Sequence, residues 1–367
     1  MVTATTDICS AILQTAAHAG CRQPLVICGH SFMKNPAYDQ LLHTSALSAV
    51  PFHDYEPNPR YESVLNGLQL FQDRHCDMLI SIGGGSPIDV AKSIKAFYNM
   101  KTDLPYIKQS IIPNAIPHLA IPTTAGTGSE ATHFAVIYYQ GKKYSIADTS
   151  LTPDYVVMDP ELLTGLPAYQ RKATMLDALG HAIESFWSVH ATEESRNFAA
   201  AALQKWFAAY PAYLKNTAGG NAAMLKAAHL AGKAIDMTTT TAAHAMSYKM
   251  TSLYGIAHGH AVGLCLPALW KYMLTHMDQV TDPRGADYTI TGFQKIARHL
   301  GQPSPEAAIL FLRTLLKKLD MTVPQLQSAD ELELLCAFVN LQRLSNNPVA
   351  LRSHDLHVIY QNMLSRT

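Results

Sequence analysis

Asp177 and His181 stand four residues apart in the run Thr174-Met-Leu-Asp-Ala-Leu-Gly-His-Ala-Ile-Glu-Ser185. On a helix that spacing sets a carboxylate and an imidazole one above the other on a single face. Both groups ligate first-row divalent cations, and paired ligands on one helix face are a known way of gripping such an ion. Two ligands do not complete a site. The best further candidates are His244 and His258, which flank Tyr254-Gly255. In one unbroken helix they would lie about 21 Å apart along the axis, at 1.5 Å per residue, too far to share an ion. Glycine is favoured at a helix end, so His244 is expected on one helix and His258 at the start of the next, brought together by a turn at Gly255. With 17 histidines in the chain, any single one is weak evidence; the combination of the two pairs carries the reading.

A different chemistry is suggested by Gly83-Gly84-Gly85-Ser86-Pro87-Ile-Asp89-Val-Ala-Lys92, which follows the apolar run Met78–Ile82. Glycines let backbone N–H groups approach an anion closely, and Pro87 suits the first turn of a helix whose N-terminus favours phosphate. The stretch is neither G-x-G-x-x-G nor a Walker A pattern. A second loop, Pro122-Thr123-Thr124-Ala-Gly-Thr127-Gly-Ser129-Glu130, packs hydroxyls and glycines densely after another strand, as ribose or nicotinamide contacts would require.

These loops need a parallel sheet to place them. Short apolar strands are expected at Pro24–Gly29, Val50–Asp54, Asp77–Ile82, His118–Pro122 and Tyr155–Asp159. They alternate with helices over Ala37–Leu47 and Tyr61–Arg74, after a first helix near the N-terminus. Phe134–Tyr139 and Lys142–Ala147 read as a hairpin turned at Gly141. From about Gly165 the pattern becomes wholly helical, with breaks expected at Gly219-Gly220 and Pro303–Pro305. The expected architecture is an α/β dinucleotide-binding domain with a parallel sheet (1–165) followed by an all-α domain for metal and substrate (166–367), with the site at the cleft between them.

Composition narrows the class. A chain of 367 residues with 48% hydrophobic and 15% charged residues is a globular protein of about two domains. Lys+Arg and Asp+Glu are both 28, so no field draws nucleic acid or anionic lipid, and no apolar run is long enough to span a bilayer. The N-terminus lacks the basic and apolar regions of a signal peptide. The 6 cysteines are scattered, with no C-x-x-C, as expected of reduced thiols in a cytoplasmic protein.

Taken together, the two glycine loops, Asp159-Pro160 with Leu166-Pro167, the Asp177–Glu184 run and the His244–Gly259 segment resemble the iron-containing (group III) alcohol dehydrogenase family, whose fold is shared with dehydroquinate synthase. The resemblance covers roughly residues 20 to 270. It implies a metal- and NAD(P)H-dependent aldehyde reductase, with Fe²⁺ (alternatively Zn²⁺) held by Asp177, His181, His244 and His258. It also implies a dinucleotide bound by Gly29, Ser31, Lys34, Gly83, Gly84, Gly85, Ser86, Asp89, Thr123, Thr124, Thr127, Ser129 and Lys143. Where many members carry a further histidine this chain has Tyr248, a weaker acid with an ordinary pKa near 10 but still able to relay a proton; Tyr248 and His258 are the catalytic candidates. Members that prefer NAD often place an Asp after the first strand. Here Cys28–Lys34 contains no acid and one lysine, which favours NADP(H) over NAD(H).

A narrower similarity, in Phe134–Tyr138, Ala191–Arg196 and Ser247–Val262, is to phosphonoacetaldehyde reductases. It implies phosphonoacetaldehyde as substrate and 2-hydroxyethylphosphonate as product, with Arg196, Lys249, Ser252 and His260 as candidate partners of the phosphonate. The alternatives are a general short-chain alcohol dehydrogenase and a Zn²⁺/NAD⁺ lyase or cyclase of the dehydroquinate synthase type. The latter needs a pocket dense in Lys and Arg, and residues 170–260 are sparse in them. Expected partners are the small aldehyde or alcohol and, at most, a second copy of the chain in a homodimer; nucleic acid and membrane are not expected.

Overall fold

The computed structural model describes residues 1–102 and 104–364. These divide into two compact units, Met1–Leu166 and a second from Pro167 onward.

Unit one is built on a six-stranded parallel sheet in the order β1-β8-β5-β4-β2-β3. The strands are β1 (Val2–Ala4), β2 (Pro24–Cys28), β3 (Val50–Phe52), β4 (Met78–Gly83), β5 (His118–Pro122) and β8 (Tyr155–Met158). The helices are α1 (Ile8–Ala19), α2 (Pro36–His43), α3 (Tyr61–Asp73) and α4 (Gly85–Phe97). The central strands are apolar on both faces because helices cover both. Val26, Ile80 and Leu119 face α1 and α2, while Leu25, Ile27 and Leu79 face α3 and α4. The hairpin β6 (Phe134–Tyr139) and β7 (Lys142–Ala147) turns at Gly141 and forms its own two-stranded sheet.

From β2 the chain steps to β3 on one side, then returns to β4 on the other. The strand order therefore reverses between β2 and β4. A ligand crevice in an open parallel sheet forms at the carboxyl ends of such a pair. Gly29 follows β2, Gly83 ends β4 and Gly84-Gly85 lead into α4, so the glycine residues singled out in the sequence stand at that point, with Gly29 N donating to Ile82 O at 3.3 Å.

Unit two is helical: α5 (Ala168–Trp187), α6 (Glu193–Leu214), α7 (Ala218–Thr238), α8 (Ala242–Tyr254), α9 (His258–Thr275), α10 (Ala286–His299), α11 (Pro305–Lys318), α12 (Ala329–Ala337), α13 (Leu341–Leu344) and α14 (Ser353–Leu364). None of the described helices is long and apolar enough to cross a membrane.

Three expectations about elements need correction. Strand β1 was not foreseen: its three residues are exposed, and only pairing with β8 defines it. The helix expected to run to Leu47 ends at His43, with Thr44 in extended conformation. The break expected at Gly219-Gly220 falls earlier, at 215–217; the two glycines lie in the first turn of α7, whose cap is Thr217, accepting from Gly220 N at 3.1 Å.

Candidate active site

Asp177 and His181 lie on α5, and the four-residue spacing puts them on one buried face. His244 is in the first turn of α8, which ends at Gly255 in the left-handed conformation (φ 64°). His258 opens α9 three residues later. The turn expected from Gly255 is therefore present, and it returns His258 to His244, their ring centroids 5.3 Å apart.

All three imidazoles converge on one atom. Asp177 Oδ1 lies 3.5 Å from His244 Nε2, 3.8 Å from His258 Nε2 and 3.9 Å from His181 Nε2. Donor atoms of Asp177, His244 and His258 all fall within 4.8 Å of one another. His181 stands outside that group of three, 3.9 Å from Asp177 Oδ1 with its ring stacked on His244 at 4.6 Å. Asp177 Oδ1 and His244 Nε2 are buried without hydrogen-bond partners. A buried, unsatisfied oxygen and nitrogen facing each other are costly unless something between them compensates both. One cation bonded at about 2.0–2.2 Å to each donor sets tetrahedral neighbours about 3.4 Å apart. The observed separations are close to that, so this set of residues fits a divalent metal.

The groups are also coupled through charge. Burial alone would raise the Asp177 carboxyl, but the facing imidazoles outweigh it and hold it well below the usual carboxylate range. Burial would lower His244, yet Glu184 and Asp177 on either side push it up. The centre is closed on the α5 side and open at His258. Side-chain exposure is 7% or less for Asp177, His181 and His244, against 36% for His258. Tyr248 stacks on His258 at 5.6 Å, nearly parallel to it.

Two residues that the metal-ligand spacing does not single out also touch the candidate ligands. Glu184 is fully buried, and its carboxylate meets Nδ1 of His244. Ser247 Oγ donates to His244 O at 2.8 Å and lies 3.3 Å from His258 Nδ1. A sequence signal existed for the first: Glu184 falls three residues after His181 and seven after Asp177, on the same helix face.

In unit one the two candidate cofactor loops lie side by side. Thr123 N donates to Gly83 O at 2.8 Å. A Cβ on Gly84 would stand 3.4 Å from the Thr124 side chain, and one on Gly85 3.2 Å from that of Thr127. Ser86 Oγ accepts from Asn58 N at 3.3 Å. Ser31 and Lys34 are exposed beyond β2. Asp89 and Ser129 are turned toward the chain itself. Ser129 Oγ donates to Asp89 Oδ1 at 2.7 Å, and Val136 N donates to Oδ2 at 3.2 Å. Lys143, on β7, contributes to the field at Asp89. Beneath them the buried Lys92 ammonium donates to Ser129 O, Thr132 Oγ1 and Phe134 O at 2.5–3.0 Å, bracing the second loop against α4.

The four candidate phosphonate partners occupy separate surroundings. The Arg196 guanidinium is sandwiched between Phe186 and Tyr288, 5.1 and 4.2 Å from the ring centroids. Lys249 Nζ sits 4.5 Å over Phe338. Ser252 Oγ donates to Lys249 O. His260, two residues beyond His258 on α9, is paired with Tyr169 Oη at 3.0 Å.

The chain combines a parallel α/β unit that has glycine loops at its switch point with a helical unit that has three imidazoles around one carboxylate, the parts of an oxidoreductase with a candidate metal centre. Comparison with known proteins agrees. The family model for iron-containing alcohol dehydrogenase matches residues 3–160, and that for the C-terminal part of the same family matches residues 172–364. The chain belongs to the iron-containing alcohol dehydrogenase family. It is 30% identical to phosphonoacetaldehyde reductase from Streptomyces viridochromogenes over 84% of this chain and 80% of that protein. It is 32% identical to the aldehyde-alcohol dehydrogenase of Streptococcus pneumoniae over 70% of this chain, spanning 32% of that longer protein. The structure of sulfoacetaldehyde reductase from Bifidobacterium kashiwanohense, solved with NAD⁺, superposes with a TM-score of 0.89 at 25% identity, covering 100% of this chain and 97% of that one.

Proposed function

We propose that this oxidoreductase reduces a small aldehyde bearing an anionic group to the primary alcohol with NADPH, phosphonoacetaldehyde giving 2-hydroxyethylphosphonate. The reaction type rests on one observation, the convergence of three imidazole nitrogens on Asp177 Oδ1, a buried atom with no hydrogen-bond partner. Asp177, His181, His244 and His258 would hold the cation, Fe²⁺ in the first place with Zn²⁺ as the alternative, since such a donor set accepts several first-row ions. A divalent metal held there supplies a Lewis acid for the carbonyl oxygen and for the alkoxide charge that develops on hydride arrival. The chain's own residues bind and orient. His258, the most exposed of the four, marks the side from which the carbonyl arrives, and the Tyr248 ring stacked on it forms a wall there and is the candidate to pass a proton to the product oxygen. The cofactor is assigned to the loops after β2, β4 and β5, where Gly84 is the N-cap of α4 and Gly85 and Ser86 begin its first turn.

The substrate class is supported by likeness: two of the similar proteins are named for two-carbon aldehydes that carry an anion. All four candidate anion partners have a neighbour of their own: Arg196 and Lys249 rest on aromatic rings, Ser252 donates to Lys249 O and Tyr169 faces His260, so the substrate class rests on the likeness. A charge-assisted contact is typically worth about 1.5–3 kcal/mol, or roughly ten- to a hundred-fold. Phosphonoacetaldehyde should therefore exceed propanal in kcat/KM by at least that factor. Equal turnover of propanal would return the enzyme to a general short-chain alcohol dehydrogenase.

NADPH is expected to be preferred to NADH in kcat/KM. Lys34 is exposed after β2, and Cys28–Lys34 holds no carboxylate to repel a 2′-phosphate. Steady-state rates with the two cofactors decide this. A reversed preference would place Lys34 away from the ribose.

A further inference from the structure

The Glu184 carboxylate performs two tasks that no ligand-spacing argument assigns to it. Its Oε1 accepts from Thr241 Oγ1 at 2.7 Å and from the backbone N–H groups of Thr241, Ala243 and His244 at 3.3, 2.8 and 3.2 Å. Those amides open α8, and Thr241, the residue in the cap position, makes no side-chain cap bond of its own. The cap is therefore supplied from α5. Oε2 meets Nδ1 of His244. One buried group thus fixes both the start of α8 and the ring of the ligand carried in its first turn.

We propose that Glu184 is a positioning residue for the metal. By accepting the Nδ1 proton it leaves Nε2, directed at Asp177 Oδ1, as the ring nitrogen that a cation takes, and so sets the affinity of the centre. The inference rests on the metal reading of the site given above. A cation on Nε2 requires the remaining ring proton to sit on Nδ1, and only an acceptor opposite Nδ1 favours that arrangement.

Glu184→Gln separates the two tasks at nearly constant volume. The donors at Oε1 demand an oxygen there, so the amide nitrogen is forced into the place of Oε2. It then presents an N–H to Nδ1, which must become the bare nitrogen. The ring proton moves to Nε2, where it obstructs the cation. The helix cap survives; the tautomer is inverted. Glu184→Ala removes cap and acceptor together.

The test uses the full chain stripped of metal, titrated with Zn²⁺ in competition with a chromophoric chelator, and with Co²⁺ followed by its visible ligand-field absorption. Outer-shell partners of metal ligands typically contribute about 10–100-fold in affinity. Glu184→Gln is expected to lose about 100-fold in Zn²⁺ affinity and to show an altered Co²⁺ spectrum at saturation, with a metal-free Tm between those of the parent and Glu184→Ala, because the helix cap survives while the charge facing His244 is lost. Glu184→Ala is expected to lose both affinity and Tm. The proposal is overturned if Glu184→Gln binds Zn²⁺ as the parent does. It is also overturned if affinity and metal-free Tm fall together as in Glu184→Ala, which would make Glu184 a helix cap only. Absence of Zn²⁺ and Co²⁺ binding by the parent chain would remove the metal reading itself, an outcome visible before any variant is made.

Discussion

Asp177→Asn is expected to strip the centre of its cation and to lower kcat/KM by about 10³-fold or more. The side chain keeps its shape but loses the charge on which the site is organised: His181, His244 and His258 all direct Nε2 at Asp177 Oδ1. It is the single anion in the proposed ligand set, since Glu184 faces Nδ1 of His244 on the far side of that ring. A neutral amide oxygen is a much poorer ligand than a carboxylate, and the variant would bury three imidazoles around a cation with nothing to offset the charge. Lewis-acid stabilisation of a developing alkoxide is worth several kcal/mol, and each 1.36 kcal/mol is tenfold in rate. Elemental analysis after gel filtration, set beside kcat/KM, measures both halves. A variant that retains full metal would remove Asp177 from the ligand set, whatever its activity.

Much of this centre is legible in the sequence because its parts are local. The Asp177/His181 pair needs only the 3.6-residue repeat of α5, and the return of His258 to His244 needs only the left-handed Gly255. The hairpin at Gly141 and the glycine loops at strand ends are local in the same sense. What escapes is whatever depends on a distant partner. Strand β1 exists only because Val2–Ala4 pair with Val156–Met158. Glu184 has a visible place on the α5 face, but its work is defined by amides 57 to 60 residues further on. Ser129 and Asp89 carry groups suited to a ligand, yet across 40 residues they bond to each other. Gly219-Gly220 reads as a break because glycine weakens helices, but Thr217 caps α7 just before it. Gly220 is needed there because a Cβ would come within 2.4 Å of the backbone at Ala212 and Tyr213. Arg196 has the chemistry of an anion partner and the surroundings of a packed guanidinium, and composition cannot distinguish the two.

Gly259→Ala, one residue from the proposed ligand His258 and bearing no functional group, is expected to be nearly as damaging as loss of a ligand. Helix α9 begins against α5 so closely that a Cβ at Gly259 would lie 2.0 Å from Ala173 O, 2.9 Å from Ala173 C and 2.8 Å from Asp177 Cβ. Two of the three obstructing atoms are backbone within a helix and cannot rotate aside, and the third belongs to the residue on which the centre is built. Relief requires the start of α9 to move away by about 1 Å or more, carrying His258 from its place 3.8 Å from Asp177 Oδ1. Displacements of that size can cost about 10²-fold in catalysis even with every reacting group present. Overpacking typically costs a further 1–3 kcal/mol of stability, or about 2–4 °C in Tm per kcal/mol for a chain of 150–250 residues and less here. Gly219→Ala is the matched control, because a Cβ there meets nothing within 4 Å and the position is helical. It should leave metal content and kcat/KM unchanged and Tm equal or slightly higher. Metal content, kcat/KM and Tm of the two variants, measured side by side, test whether the close crossing of α5 and α9 holds His258 in place. Full metal and parental kcat/KM in Gly259→Ala would show that His258 tolerates the displacement, and that the centre does not depend on that crossing.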